Sequence, residues 1–348
     1  MSTCMNVGSD ATHPIASAPA ACGVATDRSV HHPLDRSARV FVAGKGGLVG
    51  SAVWRCLTRE GFTDLVGPGS AELDLRERGA VLDWFAAMRP DVVVLAAARV
   101  GGIKANATRP AEFLSDNLRI QVNVLDAALK HGVERLLFLG SSCIYPKFAE
   151  QPIREEAVLT GPLEPTNDAY AIAKLAGILQ VQAVRRQYGL PWISAMPTNL
   201  YGPGDNFHPE HSHVLPSLIR RFHEAKESGA RQVVNWGSGT PCREFLHVDD
   251  LARACLHLLE LYDADSPVNV GTGTDLSIRE LAELVADVVG YRGSIEWDPT
   301  KPNGTPRKLL DVSRLTALGW TPRVALREGI ARTYTWYVES RESGTLRH

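Results

Sequence analysis

The sequence has no CxxC pair, no basic excess and no long apolar run, and each lack removes a class of protein. Its six cysteines (Cys4, Cys22, Cys56, Cys143, Cys242 and Cys255) are scattered through 348 residues. Neither a disulfide framework nor a zinc ribbon has support, and a reducing cytoplasm is the expected compartment. A formal net charge of −2 argues against a nucleic-acid partner, since such domains carry a basic excess. The nearest candidate for a membrane span, VVVLAAA at 92–98, is strand-sized and far below the roughly 20 apolar residues required, so no membrane partner is expected. The first 37 residues lack the basic start and sustained Leu-rich stretch of a secretory signal and read as a disordered extension. No internal repeat or low-complexity tract occurs within 38–340.

What is present is the composition of an ordinary globular protein, 44% hydrophobic and 22% charged, long enough for a large core with one appended lobe. The run ARVFVAG (38–44) leads through glycines into SAVWRCLTREG, whose apolar residues recur at helical spacing until Gly61. The pattern continues with DLV (64–66), a helix over 76–89, a strand over 91–98, a helix over 110–132 and a strand over 135–140. Apolar strands without period-two alternation, separated by helices, predict a parallel sheet covered on both faces. The fold class is therefore α/β, a Rossmann-type doubly wound sheet over 38–200. A helix over Asp168–Tyr188 and a strand over 192–197 complete it. From 201 the texture changes to loops rich in Pro, Gly and His. Residues 201–348 are expected to form mainly a smaller α/β substrate lobe, some segments of which return to the first domain. One of its helices opens with Ser277 and Glu280, a capping box.

Four groups of residues are candidates for chemistry. Gly44, Gly47 and Gly50 form GxxGxxG between the first strand and the first helix, where glycines let the backbone approach a pyrophosphate and the helix start supplies N–H groups. The bare pattern is weak, but its place at the head of a βαβ series makes a dinucleotide the expected ligand. Tyr170 and Lys174 in YAIAK share one helix face. An ammonium there is expected to lower the Tyr pKa and make the phenol a usable acid or base. The segment GSSCIYP brings Ser141 and Cys143 out at a carboxyl end of the sheet, where open α/β folds bind ligands; a buried thiol with no reaction is the alternative for Cys143. His208, His211 and His213 crowd one loop, but no second cluster completes a zinc site. No metal is expected, and His213, abutting the next helix, is the candidate catalytic imidazole.

Taken together, GxxGxxG, SSCIYP, YAIAK, PTNLYGP, NFHPEHSHVLPSLIRRFHEA, WGSGTPCREFLHVDDLA, NVGTGTDLSIREL and KPNGTPRKLLDVSRLTALGW resemble the GDP-L-fucose synthase family. That family consists of 3,5-epimerase/4-reductases acting on GDP-4-keto-6-deoxy-D-mannose, and the likeness runs from about residue 39 to about 337. The resemblance implies Cys143 as base and His213 as acid for the epimerisations. It implies Tyr170 as proton donor to the C4 oxygen, Ser141 as the group polarising that oxygen, and Lys174 beside them. The coenzyme it implies is NADPH, with NADH kept open. That coenzyme would contact Gly44, Lys45, Gly46, Gly47, Leu48, Val49 and Gly50, then Ser70, Ala71, Glu72, Leu73, Asp74 and Leu75. Further contacts would come from Leu139, Gly140, Ser141 and Ser142, from Lys174, from Pro197, Thr198, Asn199 and Leu200, and from His213. The GDP-sugar would meet Arg221, Trp236, Arg243 and Asn303, and a homodimer through helices near 110–131 and 168–187 is implied as well.

The chain departs from the family at two places. Members place arginines for the 2′-phosphate in the glycine loop and after the second strand; Gly46 and the segment PGSAE stand there in this sequence, with Lys45 close enough to substitute. Asn303 replaces the usual Asp of KPDGTPR. Another nucleotide-sugar epimerase or dehydratase is the nearest rival, although a dehydratase needs an acidic pair where Cys143 and Ile144 stand. A non-catalytic dinucleotide sensor is the rival of a different class, and it has no need of five proton-handling side chains.

Overall fold

The apolar runs without alternation form the middle of the molecule, as strands buried on both faces. A computed structural model describes residues 33–301 and 303–346. β1 (Val40–Ala43) leads into α1 (Leu48–Arg59), then β2 (Leu65–Val66), α2 (Arg78–Met88), β3 (Val92–Leu95), a short α3 (Ile103–Thr108) and α4 (Pro110–Lys130). β4 (Arg135–Leu139), α5 (Asp168–Tyr188) and β5 (Ile193–Pro197) follow. The second half holds β6 (Asn199–Tyr201), α6 (Val214–Ser228), β7 (Gln232–Trp236), β8 (Cys242–Arg243), β9 (Phe245–His247), α7 (Val248–Leu261) and β10 (Val268–Val270). It ends with β11 (Leu276–Ser277), α8 (Ile278–Val289), β12 (Ser294–Asp298), β13 (Arg307–Lys308), α9 (Ser313–Ala317) and α10 (Leu326–Glu342).

The main sheet is six-stranded, in the order β10-β5-β4-β3-β1-β2, and every neighbour pair is parallel. Strand order reverses between β1 and β3, so the carboxyl ends open a crevice there. Side-chain alternation sends Val40 and Val42 to one face, beneath α1 and α7, and Phe41 and Ala43 to the other, beneath α2, α4 and α5. A third apolar cluster lies among α6, α8 and α10. β10, far along the chain, returns to the main sheet beside β5. β11, β8 and β13 form a small separate sheet.

Several expectations needed adjustment. The strand expected over 91–98 ends at Leu95, because the backbone of Ala97 turns in against Gly44. α3 was not foreseen, since six residues are too few to show helical periodicity. Most of the expected N-terminal extension lies outside the described residues, but residues 33–37 are ordered. Leu34 packs on the core, and Arg36 pairs with Glu260 at 2.6 Å while stacking 4.5 Å from the Phe62 ring. Among the described residues, no helix is long and apolar enough to cross a membrane, and no group of three or more His, Cys, Asp or Glu is placed to hold a metal ion.

Candidate active site

The glycine loop is shaped by what glycine lacks. Gly44 has φ +88°, and a Cβ there would sit 2.8 Å from the Ala97 backbone; one at Gly50 would sit 2.0 Å from the Gly44 carbonyl oxygen. Only hydrogen fits between the loop and α1 at that point. Gly47 caps α1 and donates its N–H to Gly44 O at 2.9 Å, whereas the space beside Gly46 is empty to 4 Å. No acidic residue occupies the first turn of α1, so its positive end is left for an anion. These features fit a pyrophosphate. Leu48 and Val49 pack against the core. Lys45 extends toward the end of β2, its ammonium 4.1 Å from the Trp54 ring centroid. After β2, Ser70 and Ala71 are exposed, Glu72 accepts from Gly69 N at 3.0 Å, and Asp74 pairs with Arg76 at 2.7 Å. Leu73 is buried in the core, and the Leu75 carbonyl accepts from Asn123.

At the end of β4 the chain passes Gly140, where a Cβ would collide with Met196 Sδ, and enters a single 3-10 turn over Ser142–Ile144. Ser141 caps that turn, accepting from Cys143 N at 3.2 Å. Ser142 is buried and Cys143 half-buried. α5 brings Tyr170 and Lys174 to the same strand end. Lys174 is 3% exposed, donates to Leu139 O at 2.8 Å, and lies 4.9 Å from the Phe138 ring centroid. Burial pushes its pKa down to about 7. Burial likewise pushes the Tyr170 phenol up, with Cys143 adding to the effect and a hydrogen bond with Ser141 offsetting only part. The expectation of a lowered Tyr pKa is thus reversed. The ammonium is spent on a carbonyl oxygen, stands 6.0 Å from the Tyr170 ring centroid, and loses proton affinity to the same burial that raises the phenol. Beyond β5, Thr198 N donates to Val270 O, and Thr198 Oγ1 and Asn199 Nδ2 both donate to Glu244 O. Pro197 is buried and Leu200 packs against the core.

Facing this strand end is a cation that the sequence did not single out. Lys308 Nζ donates to Cys143 Sγ at 3.6 Å, within a cleft also lined by Tyr145, Glu164, Asn167 and Arg307. Parallel pairing of β8 with β13 places Lys308 beside Arg243, whose Nη1 donates to Cys242 O at 2.7 Å. The fully buried Glu244 holds this corner together: its carboxylate accepts from the backbone N–H groups of Thr272, Gly273 and Leu310. An acidic residue between Arg243 and the buried strand Phe245–His247 is a signal for it in the sequence. His213 caps α6 without a side-chain capping bond and is exposed by area. Crowding by protein around the ring, and then Lys308, hold its pKa below the ordinary value. The structure thus gathers Ser141, Cys143, Tyr170 and Lys174 closely, and joins His213 to them electrostatically through Lys308.

The remaining candidates lie on the second half of the chain. Arg221 reaches from α6 to β7, donating to Asn235 Oδ1 at 2.7 Å and to Val234 O. Trp236 ends β7, 63% exposed. Asn303 Oδ1 accepts from Ser238 N at 2.8 Å and from its hydroxyl at 3.1 Å. His208 and His211 stack ring on ring at 4.5 Å.

Residues 40–271 match the NAD dependent epimerase/dehydratase family. GDP-L-fucose synthase 1 of Arabidopsis thaliana is 61% identical over 306 residues, covering 88% of this chain and 95% of that protein. The chain belongs to the GDP-L-fucose synthase family. The Escherichia coli (strain K12) GDP-L-fucose synthase is 54% identical over 313 residues, 87% of this chain and 98% of that one. Among solved structures, a GDP-L-fucose synthetase from Naegleria fowleri bound to NADP superposes with a TM-score of 0.83 at 29% identity, covering 91% of this chain and 98% of that one. In this member of the GDP-L-fucose synthase family the glycine loop and the Cys143 cluster both lie at carboxyl ends of strands in the parallel sheet, after β1 and β4.

Proposed function

We propose that this chain converts GDP-4-keto-6-deoxy-D-mannose to GDP-L-fucose, inverting C3 and C5 and reducing the C4 ketone. The observation that carries the reading is a thiol, a phenol and a serine hydroxyl at one strand end, with Lys308 on the thiol. The 61% identity to a protein named GDP-L-fucose synthase 1 supports it.

The 4-keto group acidifies the protons on C3 and C5. Cys143 acts as base on one face and His213 as acid on the other. His213 is held neutral by its crowding and by Lys308; the negative diphosphate of an arriving substrate offsets that field and favours the imidazolium that proton return requires. Tyr170, whose raised pKa keeps the phenol protonated, then gives its proton to the C4 oxygen as hydride arrives, and Ser141 polarises the same oxygen. NADPH, when bound, supplies the hydride, and the NADP-bound Naegleria structure supports that choice. The residues of the glycine loop, 70–75, 139–142 and 197–200, together with Lys174 and His213, would hold it. Arg221 and Arg243 suit the diphosphate, Trp236 offers a flat face to the base, and Asn303 borders the same region. Residues up to about 200 would carry most coenzyme contacts together with the reacting Ser141, Cys143 and Tyr170, and later residues, His213 apart, would mainly meet the GDP-sugar.

Exposed Val122 on α4 and Ile172 and Leu179 on α5 support pairing of two copies through these helices as a homodimer. The unpaired Cys56, Cys143, Cys242 and Cys255 fit a reducing cytoplasm. Incubation of purified protein with GDP-4-keto-6-deoxy-D-mannose and NADPH or NADH tests the activity. GDP-L-fucose is expected, with NADPH favoured; oxidation of neither coenzyme would overturn the proposal.

A further inference from the structure

The geometry points to Lys45 as the residue that reads the coenzyme's 2′-phosphate, from a slot formed by Gly67 and Trp54. This rests on the coenzyme reading above and deepens it. In an open parallel sheet the adenosine ribose lies near the end of the strand that follows the glycine loop and its helix. There a carboxylate selects a free 2′-hydroxyl and a cation accommodates a 2′-phosphate. β2 ends at Val66, and Gly67 follows directly. A Cβ at Gly67 would stand 3.0 Å from both Cβ and Cδ of Lys45 and 3.1 Å from the Trp54 ring. The missing side chain is what lets the lysine stem pass. On its other side the Trp54 ring meets the ammonium at 4.1 Å, an attraction between cation and ring face. Lys45 is thus held beside the end of β2, although it belongs to the glycine loop.

The neighbouring cations are committed elsewhere. Between 44 and 76 the chain carries Lys45, Arg55, Arg59 and Arg76. Arg55 pairs with Asp249 at 3.1 Å, and Arg76 grips Asp74 through Nε and Nη2. Arg59 lies in the last turn of α1, bonded to the Arg55 carbonyl. Lys45 makes no ion pair with a carboxylate among the described residues. Glu72, the acidic residue of the turn after β2, is folded onto Gly69 N and presents less of its carboxylate to a ribose. Selection for the phosphate therefore depends on one exposed, strongly hydrated ammonium. The preference it confers is modest and weakens with salt.

Binding titrations that follow coenzyme fluorescence test this with wild type, Lys45→Met, Lys45→Arg and Gly67→Ala. Wild type is expected to bind NADPH about tenfold tighter than NADH, with the gap narrowing as salt rises. Lys45→Met should abolish the gap by weakening NADPH about tenfold with a much smaller loss for NADH, and an unchanged melting temperature reports an intact fold. Lys45→Arg should restore it, and Gly67→Ala, by displacing the stem, should fall between. A Lys45→Met protein that keeps its NADPH preference, or that loses both affinities equally, overturns the inference while leaving the coenzyme site standing. Binding of neither coenzyme by wild type overturns the site and the inference with it.

Discussion

Where the glycine loop meets α1, the site is made of backbone: positive φ at Gly44, a Cβ-free contact at Gly50, and an open helix end. The cluster beyond β4 is made of side chains drawn from far apart, Cys143 and Lys308 being 165 residues distant in sequence. The first region binds by shape that a single local segment supplies. The second works by charge and proton affinity, which depend on what the rest of the chain packs around it. Damage to the loop should therefore remove coenzyme binding and stability together, whereas loss of the Cys143 thiol, which has no coenzyme contact assigned to it, should remove chemistry and spare both.

The sharpest way to break this contrast is Cys143→Ser. A hydroxyl keeps the volume but is a far weaker acid than a thiol, so solvent-deuterium incorporation at C3 and C5 should fall about 10²- to 10⁴-fold. Coenzyme affinity and melting temperature should stay near wild type; equal losses in exchange and in binding would erase the distinction between the regions. Gly50→Ala attacks the other side. Its Cβ would lie 2.0 Å from Gly44 O, so α1 must move. Coenzyme binding should disappear, with about 3 kcal/mol of stability lost in denaturant titration, and a variant that binds NADPH normally would show that the loop's backbone is not the site.

The smallest effect probes burial within the cluster. Lys174 titrates near pH 7 when folded and near 10.4 when unfolded. Between those values the unfolded chain binds more protons, so stability rises with pH, and the cost of burying the ammonium is complete only below about 7. Relative to Lys174→Met, the coenzyme-free wild type should gain up to about 1.4 kcal/mol per pH unit between pH 7 and 10. Parallel denaturation midpoints for the two proteins across that range would mean the ammonium is not discharged by burial.

Much of the fold was legible because its signals are local. The all-apolar strands, the Gly-Gly loop and the capping box at Ser277 and Glu280 each fit within a few residues. The helix over Asp168–Tyr188 was read to its ends, since Gly189 adopts the left-handed conformation that stops it. Residues that act through distant partners were not legible. Lys308 looks like one more charge in KPNGTPRK, and nothing nearby says that a two-residue strand will lay it beside Arg243. Tyr170 and Lys174 were read correctly as neighbours on one helix face, and their protonation was read in the wrong direction, because spacing carries no information about burial.

By itself the sequence determined that a parallel sheet would form, where its glycine loop would lie, and which thiol, phenol and imidazole stood ready, for these follow from period, propensity and residue chemistry. Only the tertiary structure decided that Lys308 would meet Cys143, that Glu244 would brace the strands carrying Arg243 and Lys308, and that burial would pull the pKa of Lys174 down toward neutrality. Proton affinity and strand register belong to the packed surroundings of a residue, and those surroundings exist only once distant segments have come together.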